Sequence, residues 1–254
     1  MDLVFQGSSC WNKGMTPEHM SQAREFFEHA LTLDPGNIEA LVAMAAVDLA
    51  SAAFFIDNDR DARFAAAEAA LIKALSMSPQ HARAHMFLGA VQISAKRAAQ
   101  GIRECERALA LDRNSADAHG LIGCAKVLIG RGEEAEARIQ DAFRFSPRDT
   151  GAFRWMHYAG LAKLVLGVDA EAVAWLRRSL EANRNYPLAH FHLAAALALL
   201  GSLEEARDAA RAGLALHPTF TIRRMRGRMS GDPTFRAGSK RVLEGMRMAG
   251  VPEE

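Results

Sequence analysis

The sequence is poor in the features that mark several protein classes. Its three cysteines, Cys10, Cys105 and Cys124, are scattered through 254 residues and have no C-x-x-C spacing. An odd, scattered set argues against a disulfide framework or a zinc site and favours a reducing compartment, so we expect a cytoplasmic protein. Residues 1–5 also lack the basic and apolar stretches that open a signal peptide.

Long apolar runs and an excess of one charge are missing as well. The longest apolar runs, such as residues 193–200, have eight residues, whereas a bilayer-spanning helix needs about 20. Lysine and arginine number 31 against 30 aspartates and glutamates, which gives a net charge of +1. We therefore expect no membrane association, and no nucleic-acid partner unless a local basic patch recruits one.

Aromatic residues are few, and alanine is abundant. The chain has 13 Phe, 3 Trp and 2 Tyr against 49 alanines. Alanine is the strongest helix former, whereas strands are enriched in β-branched and aromatic residues. The balance predicts an all-α fold. The sequence also lacks P-loop, G-x-S-x-G and H-E-x-x-H motifs, so we predict no catalytic residues, no metal and no cofactor.

The positive feature of the sequence is a repeat. Three segments align at a spacing of 34 residues, at 67–79, 101–113 and 135–147. Three more carry the same pattern, at 23–35, 172–184 and 206–218. Apolar residues recur in them at three- and four-residue intervals, which indicates an amphipathic helix, and a second helical stretch precedes each one. The pattern predicts antiparallel helix pairs stacked in series.

The length accommodates six such pairs and a tail. The predicted array covers residues 1–220, with repeats at 1–37, 38–81, 82–115, 116–149, 150–186 and 187–220. Residues 221–254 are predicted to form a capping segment, with a helix at 232–248 covering the last helix pair. Helix starts are predicted at Ser202 with Glu205, at Asp169, and at Thr16 and Asp232, each before a proline.

These residues resemble the tetratricopeptide repeat. The resemblance is carried by Gly at position 8 of the repeat, Ala at positions 20 and 27, and Pro at position 32. Examples are Gly89, Gly123, Ala67, Ala74, Ala108, Ala142, Pro79 and Pro147. The resemblance implies a right-handed α-solenoid of about six helix pairs and a non-catalytic protein that binds a protein or peptide segment. The small residues recur at these positions for a physical reason: they allow neighbouring helices to approach closely.

In this family the first helix of each pair lines a concave groove. The positions that face the groove are occupied here by Arg83, Met86, Phe87, Leu121, Cys124, Arg154, Trp155, Tyr158, Phe191 and His192. An aromatic, methionine-containing groove with one or two arginines suits an apolar peptide or helix. An equally weighted alternative is that some of these side chains are core residues or are covered by the protein's own tail.

A narrower resemblance covers nearly the whole chain. The start DLVFQG, the run at 172–201 and the ending FTIRRMRG with RVLEGMRMAGVPE resemble the C-terminal repeat region of bacterial class III adenylate/guanylate cyclases and winged-helix regulators. This resemblance implies bacterial signalling or regulation. The alternative hypotheses are a relative of a cyclase that lacks the catalytic domain, and a scaffold that self-assembles as a homo-oligomer.

Two acidic or histidine-containing clusters raise the possibility of an ion site. The run DNDRD at residues 57–61 with Glu68 has the spacing of a calcium loop, but Ala62 stands where the turn requires glycine. We favour a solvated loop that stabilises the next helix, although the sequence leaves ion binding open. His81 and His85 have metal-binding spacing. Three histidines nevertheless recur at position 4 of their repeats, which favours a role in packing or hydrogen bonding: His85, His119 and His190.

A basic run follows the sixth repeat. It consists of Arg223, Arg224, Arg226 and Arg228. Such a run could contact phosphate or an acidic partner. Because no stacking aromatics are interleaved with the arginines, we favour a solvated capping segment.

Overall fold

The structure is a computed structural model that describes residues 2–12, 17–53, 59–227, 229 and 231–254. Within these ranges the regular secondary structure is helical, and the predicted all-α solenoid fold is confirmed. The chain divides into two compact units, Met1–Arg113 (unit 1) and Asn114–Glu254 (unit 2). Among the described residues, none of the helices combines the length and apolar character needed to cross a bilayer.

Unit 1 consists of three helix pairs. Its helices are α1 (Leu3–Asn12), α2 (Pro17–Leu33), α3 (Ile38–Ala53), α4 (Arg60–Met77), α5 (Ala82–Ser94) and α6 (Ala98–Leu111). Each odd-numbered helix packs against the helix that follows it, and α3 also packs against α5. The chain therefore forms a first helix and a second helix in each repeat, as the sequence predicts.

Unit 2 consists of three further pairs and two additional helices. Its helices are α7 (Ala116–Leu128), α8 (Ala135–Phe145), α9 (Ala152–Leu166), α10 (Asp169–Ala182), α11 (Pro187–Leu199), α12 (Leu203–Leu216), α13 (Ile222–Gly227) and α14 (Pro233–Met248). A short 3-10 turn, Gly132–Glu134, precedes α8. The first helices α7, α9 and α11 are neighbours, and the face that they form is called the first-helix face below.

Small residues occupy the contact positions of the pairs. Five alanines at position 20 have no exposed surface: Ala23, Ala67, Ala135, Ala172 and Ala206. Three at position 27 are equally buried: Ala74, Ala108 and Ala142. Interiors are packed as densely as organic crystals, so a larger side chain at these positions would push the helices apart. The predicted role of the small residues is confirmed.

Three residues that depart from alanine at positions 20 and 27 have a local explanation. Gly101 replaces alanine at position 20 because its backbone touches Gly89; a Cβ on Gly101 would lie 2.5 Å from the carbonyl oxygen of Gly89. Ser179 is fully buried at position 27, and its hydroxyl donates a 2.8 Å hydrogen bond to a backbone carbonyl of α9. At Gly213 the ring of Phe191 fills the space of the missing side chain.

The first helix ends in a left-handed residue at position 15 in four successive repeats. These residues are Gly130, Gly167 and Gly201 in unit 2, with φ of 75°, 83° and 86°, and Lys96 in unit 1, with φ of 65°. Glycine adopts this region without the clash between Cβ and the backbone, whereas lysine does not. The same turn is therefore strained in the third repeat and relaxed in the next three.

The predicted helix starts are only partly correct. The side chain of Asp232 accepts a 2.9 Å hydrogen bond from the Phe235 amide, so it caps α14 as predicted. Ser202 precedes α12 but makes no capping hydrogen bond. Asp169 does not cap a helix; it is the first residue of α10, and its carboxylate is engaged elsewhere. Thr16 lies outside the described residues.

Candidate functional site

Three of the ten predicted groove residues lie on α5 of unit 1. The Arg83 side chain is exposed, and its guanidinium carbon lies 5.4 Å from the centre of the half-buried Phe87 ring. Met86 is buried, with 7% of its surface exposed. Of these three residues, only Arg83 and Phe87 are therefore accessible.

Three predicted groove residues of unit 2 belong to its core. Trp155 is 1% exposed, and its Nε1 donates a 2.9 Å hydrogen bond to Asp117. The buried Phe191 ring stacks on Phe220, with ring centres 3.7 Å apart. His192 is also buried and lies 2.7 Å from His157 through ring nitrogens. Counting repeat positions did not reveal that neighbouring helices enclose these side chains.

The remaining four groove residues form an accessible patch. Leu121 and Cys124 on α7, and Arg154 and Tyr158 on α9, are all half-buried. Asp117 lies one turn before Leu121 on the same helix and accepts two hydrogen bonds from Arg154 Nη2, at 2.9 and 3.1 Å. We call these five residues the inner patch. The ion pair between Asp117 and Arg154 links α7 to α9, so the five residues form one continuous surface.

The polar groups of the inner patch keep their hydrogen-bond donors at neutral pH. Burial raises the pKa of the Tyr158 phenol well above its ordinary value, and nearby Cys124 and Tyr186 act in the same direction. Burial acts to lower the pKa of Arg154, but the attraction and hydrogen bonds of Asp117 together with the nearby Tyr158 and Tyr186 raise it on balance, so the guanidinium stays charged. Among the described residues, Arg154 Nε and Nη1 have no hydrogen-bond acceptor. The patch therefore offers donors beside an apolar side chain, a combination suited to a peptide carbonyl or carboxylate.

Helix α14 covers a neighbouring part of the first-helix face. It packs against α9 and α11. A Cβ on Gly245 would lie 2.5 Å from the carbonyl oxygen of Ala195, and a Cβ on Gly238 would collide with the carbonyl oxygen of Val165. The sequence predicted that this helix covers the last pair. It packs on α11 of that pair and also on α9 of the preceding pair, and its two glycines allow contact between backbones at both places.

Apolar and charged contacts hold α14 in this position. Five of its side chains are buried: Phe235, Ser239, Val242, Leu243 and Met246. Arg241 donates hydrogen bonds of 2.7 and 2.8 Å to both oxygens of Asp169, and a third of 3.1 Å to the Leu164 carbonyl. The hydrogen bonds with Asp169 raise the pKa of Arg241. We call the surface of α9, α11 and Asp169 that contacts this helix the α14 seat.

The three histidines at position 4 make packing or hydrogen-bonding contacts, as predicted; the His119 ring stacks on Phe145 with ring centres 5.1 Å apart. His85 Nε2 lies 3.0 Å from the carbonyl oxygen of Pro79, and His190 Nε2 lies 2.8 Å from that of Arg184. In both cases the acceptor is position 32 of the preceding repeat. His81 donates to Glu39, with 2.9 Å between Nε2 and Oε1, while its Nδ1 accepts from a backbone amide. The rings of His81 and His85 are thus occupied by protein partners.

The calcium-like run is engaged locally where the structure describes it. Residues 57 and 58 lie outside the described ranges. Asp59 caps α4 by accepting a 3.1 Å hydrogen bond from the Ala62 amide. Glu68 accepts hydrogen bonds of 2.8 and 2.7 Å from Arg97. The Asp59 cap agrees with the prediction that the aspartates of the run stabilise the start of the next helix.

The basic run is paired with the C-terminal carboxylates. Arg223 donates to Glu254 at 2.9 Å, and Arg226 donates to Glu253 at 2.8 Å. Arg224 donates to the hydroxyl and carbonyl of Thr219 instead. Arg228 lies outside the described residues. The pairing offsets much of the positive charge that the run suggested.

The sequence reasoning missed Asp117, Asp169 and Arg241. A signal was present for the first, since Asp117 and Arg154 occupy position 2 of successive repeats, where opposite charges can meet. No comparable signal predicted the pair between Asp169 and Arg241, because those residues are 72 apart in sequence. Their contact depends on where α14 packs.

Comparisons with known proteins agree with this architecture. Residues 60–123 match the tetratricopeptide repeat family model. No curated protein matches the chain. The solved structure of TTC0263, a thermophilic TPR protein from Thermus thermophilus, is similar with a TM-score of 0.61 at 18% identity over 77% of this chain and 97% of that one.

Two further structures share the fold. Human IFIT1, solved as a dimer with m7Gppp-AAAA, has a TM-score of 0.72 at 17% identity, over 85% of this chain and 50% of that one. PilF from Pseudomonas aeruginosa has a TM-score of 0.54 at 21% identity, over 80% of this chain and 91% of that one. The family match at residues 60–123 and the helix-pair solenoid together support a tetratricopeptide repeat protein.

Proposed function

We propose that this protein is a non-catalytic interaction module that binds an apolar peptide or helix on the first-helix face of unit 2. The observation that carries the proposal is α14, an amphipathic helix lying on α9 and α11. A face that accommodates one helix has the shape and chemistry for helical ligands, which recognise such grooves through side chains spaced three, four and seven apart.

The inner patch supplies the accessible part of this face. Leu121 provides apolar contact, while Arg154 and Tyr158 provide donors that fix the orientation of a bound segment. Aromatic and arginine residues dominate binding energy at many interfaces because they combine apolar area with directional hydrogen bonds. We propose a protein partner rather than a nucleic acid because the basic run is paired with Glu253 and Glu254.

The test compares partner capture by matched variants. Tagged wild-type protein and variants Leu121→Lys and Arg154→Gln are incubated with native lysate, and captured proteins are identified by mass spectrometry. We expect each variant to lose at least about tenfold of a specific partner that the wild type retains, because a hot-spot residue contributes about 1.4 kcal/mol or more. Arg178→Gln, an exposed arginine over the Trp175 ring on α10, is the control.

Circular dichroism checks that each variant keeps its helical content. If folded Leu121→Lys and Arg154→Gln proteins capture the same partners as the wild type, the inner patch is not the binding surface. The cyclase-related and self-assembly hypotheses remain predictions with their own tests. An upstream cyclase domain in the same reading frame supports the former, and a molecular mass that rises with concentration in light scattering supports the latter.

A further inference from the structure

We propose that the α14 seat is the binding site for an amphipathic helix of the partner, and that α14 occupies the seat as an intramolecular competitor. This inference rests on the proposed function and specifies its ligand. The partner helix carries small residues seven apart, an arginine between them, and an aromatic residue three positions before the first small residue. These features are those of α14 at Gly238, Gly245, Arg241 and Phe235.

The small residues are required by the backbone of the seat. At Gly238 and Gly245 the nearest atoms to an added Cβ belong to the backbones of α9 and α11, which cannot move aside as a flexible side chain does. Residues seven apart lie on the same face of a helix. A partner helix therefore needs glycine, or a very small residue with a slight shift, at both places.

The arginine is required by Asp169. This carboxylate is 9% exposed at the start of α10, and Arg241 is its bidentate partner. Removing the partner of a buried carboxylate is costly because the charge of the carboxylate then stays without compensation. The seat therefore favours an occupant that brings a guanidinium to Asp169, and disfavours a helix that brings a carboxylate.

The fit of α14 to its seat has a defect that leaves room for a competitor. Ser239 is 2% exposed, and its hydroxyl has no hydrogen-bond partner within the described part of the chain. A buried hydroxyl without a partner opposes burial, whereas a methyl group at the same place does not. A partner helix with alanine at this position would bind the seat more tightly than an isolated segment with the sequence of α14.

The seat continues directly into the inner patch. Tyr158 of the patch and Val165 of the seat are seven residues apart on α9 and so lie on one face of that helix. A partner helix longer than α14 would contact both surfaces. It would gain the donors of Arg154 and Tyr158, which α14 itself does not use among the described residues.

The experiment uses the full chain and a labelled peptide. The probe is a fluorescent synthetic peptide of residues 232–249 carrying Ser239→Ala, and the control probe carries Gly245→Val in addition. The chains are the wild type and Gly245→Val, whose own α14 cannot sit against Ala195. We expect the Gly245→Val chain to bind the probe at least tenfold more tightly than the wild type and to discriminate tenfold against the control probe.

A charge reversal locates the bound peptide. Asp169→Lys in the Gly245→Val chain should weaken probe binding at least tenfold, and Arg241→Glu in the probe should restore it. In the opposite direction, Ser239→Ala in an otherwise wild-type chain should tighten α14 in its seat and reduce probe binding further. A Gly245→Val chain that keeps its helical content but does not distinguish the two probes overturns the inference.

Amide hydrogen exchange of the wild-type chain tests the inference without the Gly245→Val variant, and so applies even if that variant does not fold. We expect the amides of α14 to exchange faster than those of α11, and to exchange faster still with excess probe, which displaces α14. If α14 and α11 exchange at one rate and the probe changes neither, the inference is overturned.

The seat and the inner patch can fail independently. If the inner-patch variants lose partner capture but the probe does not bind, the seat proposal alone is refuted. If the probe binds but the inner-patch variants keep partner capture, the patch proposal alone is refuted.

Discussion

Both units have apolar interiors, but unit 1 also contains a buried charge cluster and unit 2 an aromatic cluster. In unit 1 the buried Asp48 of α3 lies between Arg24 of α2 and Arg63 of α4, with 3.1 Å from Arg63 Nη1 to the carboxylate. In unit 2 aromatic rings fill the space between second helices and first helices. Phe143 lies edge-on to Trp155 at 5.6 Å and stacks on Trp175 at 6.2 Å between ring centres.

The difference shows that one helix-pair template tolerates different interiors. The small residues at positions 20 and 27 fix the distance between helices, and the residues around them only need to fill the remaining volume or satisfy each other's charges. Unit 2 also has an additional helix on its first-helix face. Both candidate binding surfaces, the inner patch and the α14 seat, lie in unit 2. The substitutions below test how far the interiors of the two units differ.

The largest effect is expected in the aromatic interior of unit 2. Trp155→Ala should lower the free energy of unfolding by about 4 kcal/mol, since it empties a large buried volume and removes a hydrogen bond to Asp117. Urea denaturation followed by circular dichroism measures the loss. Trp175→Ala is the matched control, because Trp175 is only half-buried. Equal losses from the two substitutions would contradict the assignment of Trp155 to the core.

The charged part of the unit 1 interior, formed by Asp48, Arg24 and Arg63, should be nearly as sensitive. Asp48→Ala leaves Arg24 and Arg63 facing each other without the carboxylate, and should cost about 3 kcal/mol in the same measurement. Asp48→Asn retains an acceptor and should cost less. A neutral effect of Asp48→Ala would mean that the arginines turn to solvent at no cost, and that the charged interior does not stabilise unit 1.

Position 8 allows one substitution to be compared between units. A Cβ on Gly89 of unit 1 would lie 2.8 Å from the backbone oxygen of Gly101, whereas a Cβ on Gly123 of unit 2 has its nearest neighbour at 3.0 Å in the Ile139 side chain. Gly89→Ala should therefore cost about 2 kcal/mol, and Gly123→Ala clearly less. Thermal unfolding of both variants checks the order; a reversed order would contradict the tighter packing of α5 on α6.

The left-handed turn at position 15 should respond in opposite directions in the two units. Lys96→Gly should stabilise the protein by about 1 kcal/mol, because it removes the strain of a side chain at φ of 65°. Gly167→Ala should destabilise it by a similar amount of about 1 kcal/mol. Both changes are measured as shifts in the melting temperature, and a lower melting temperature of Lys96→Gly would show that the lysine side chain compensates for the strain.

The smallest effect concerns pH. The hydrogen bonds with Arg97 lower the pKa of Glu68 in the folded protein. The pair therefore stabilises the fold above the ordinary glutamate pKa and loses its contribution as pH falls through the lowered value. Because both side chains are partly exposed, Glu68→Gln should cost only about 0.5 kcal/mol at pH 7 and nothing at pH 2. Urea titrations of wild type and variant at the two pH values measure the difference.

Much of the fold could be predicted from residue spacing. The period of 34 placed six helix pairs, and the small residues at positions 20 and 27 identified the tight contacts, as with Ala67 and Ala74. The candidate site was less predictable. Register identifies the inner positions but does not say whether a neighbouring helix covers them, so the sequence left open whether Trp155 and Phe191 line a groove or belong to the core; both are core residues.

The sequence by itself determined the helix pairs, because local periodicity and small residues at fixed intervals act over one or two turns and between adjacent helices. The tertiary structure decided where α14 lies, which carboxylate meets Arg241, and which inner side chains remain accessible. These outcomes depend on backbone contacts between residues far apart in sequence, such as Gly245 and Ala195, and no local pattern encodes which surface an amphipathic helix will cover.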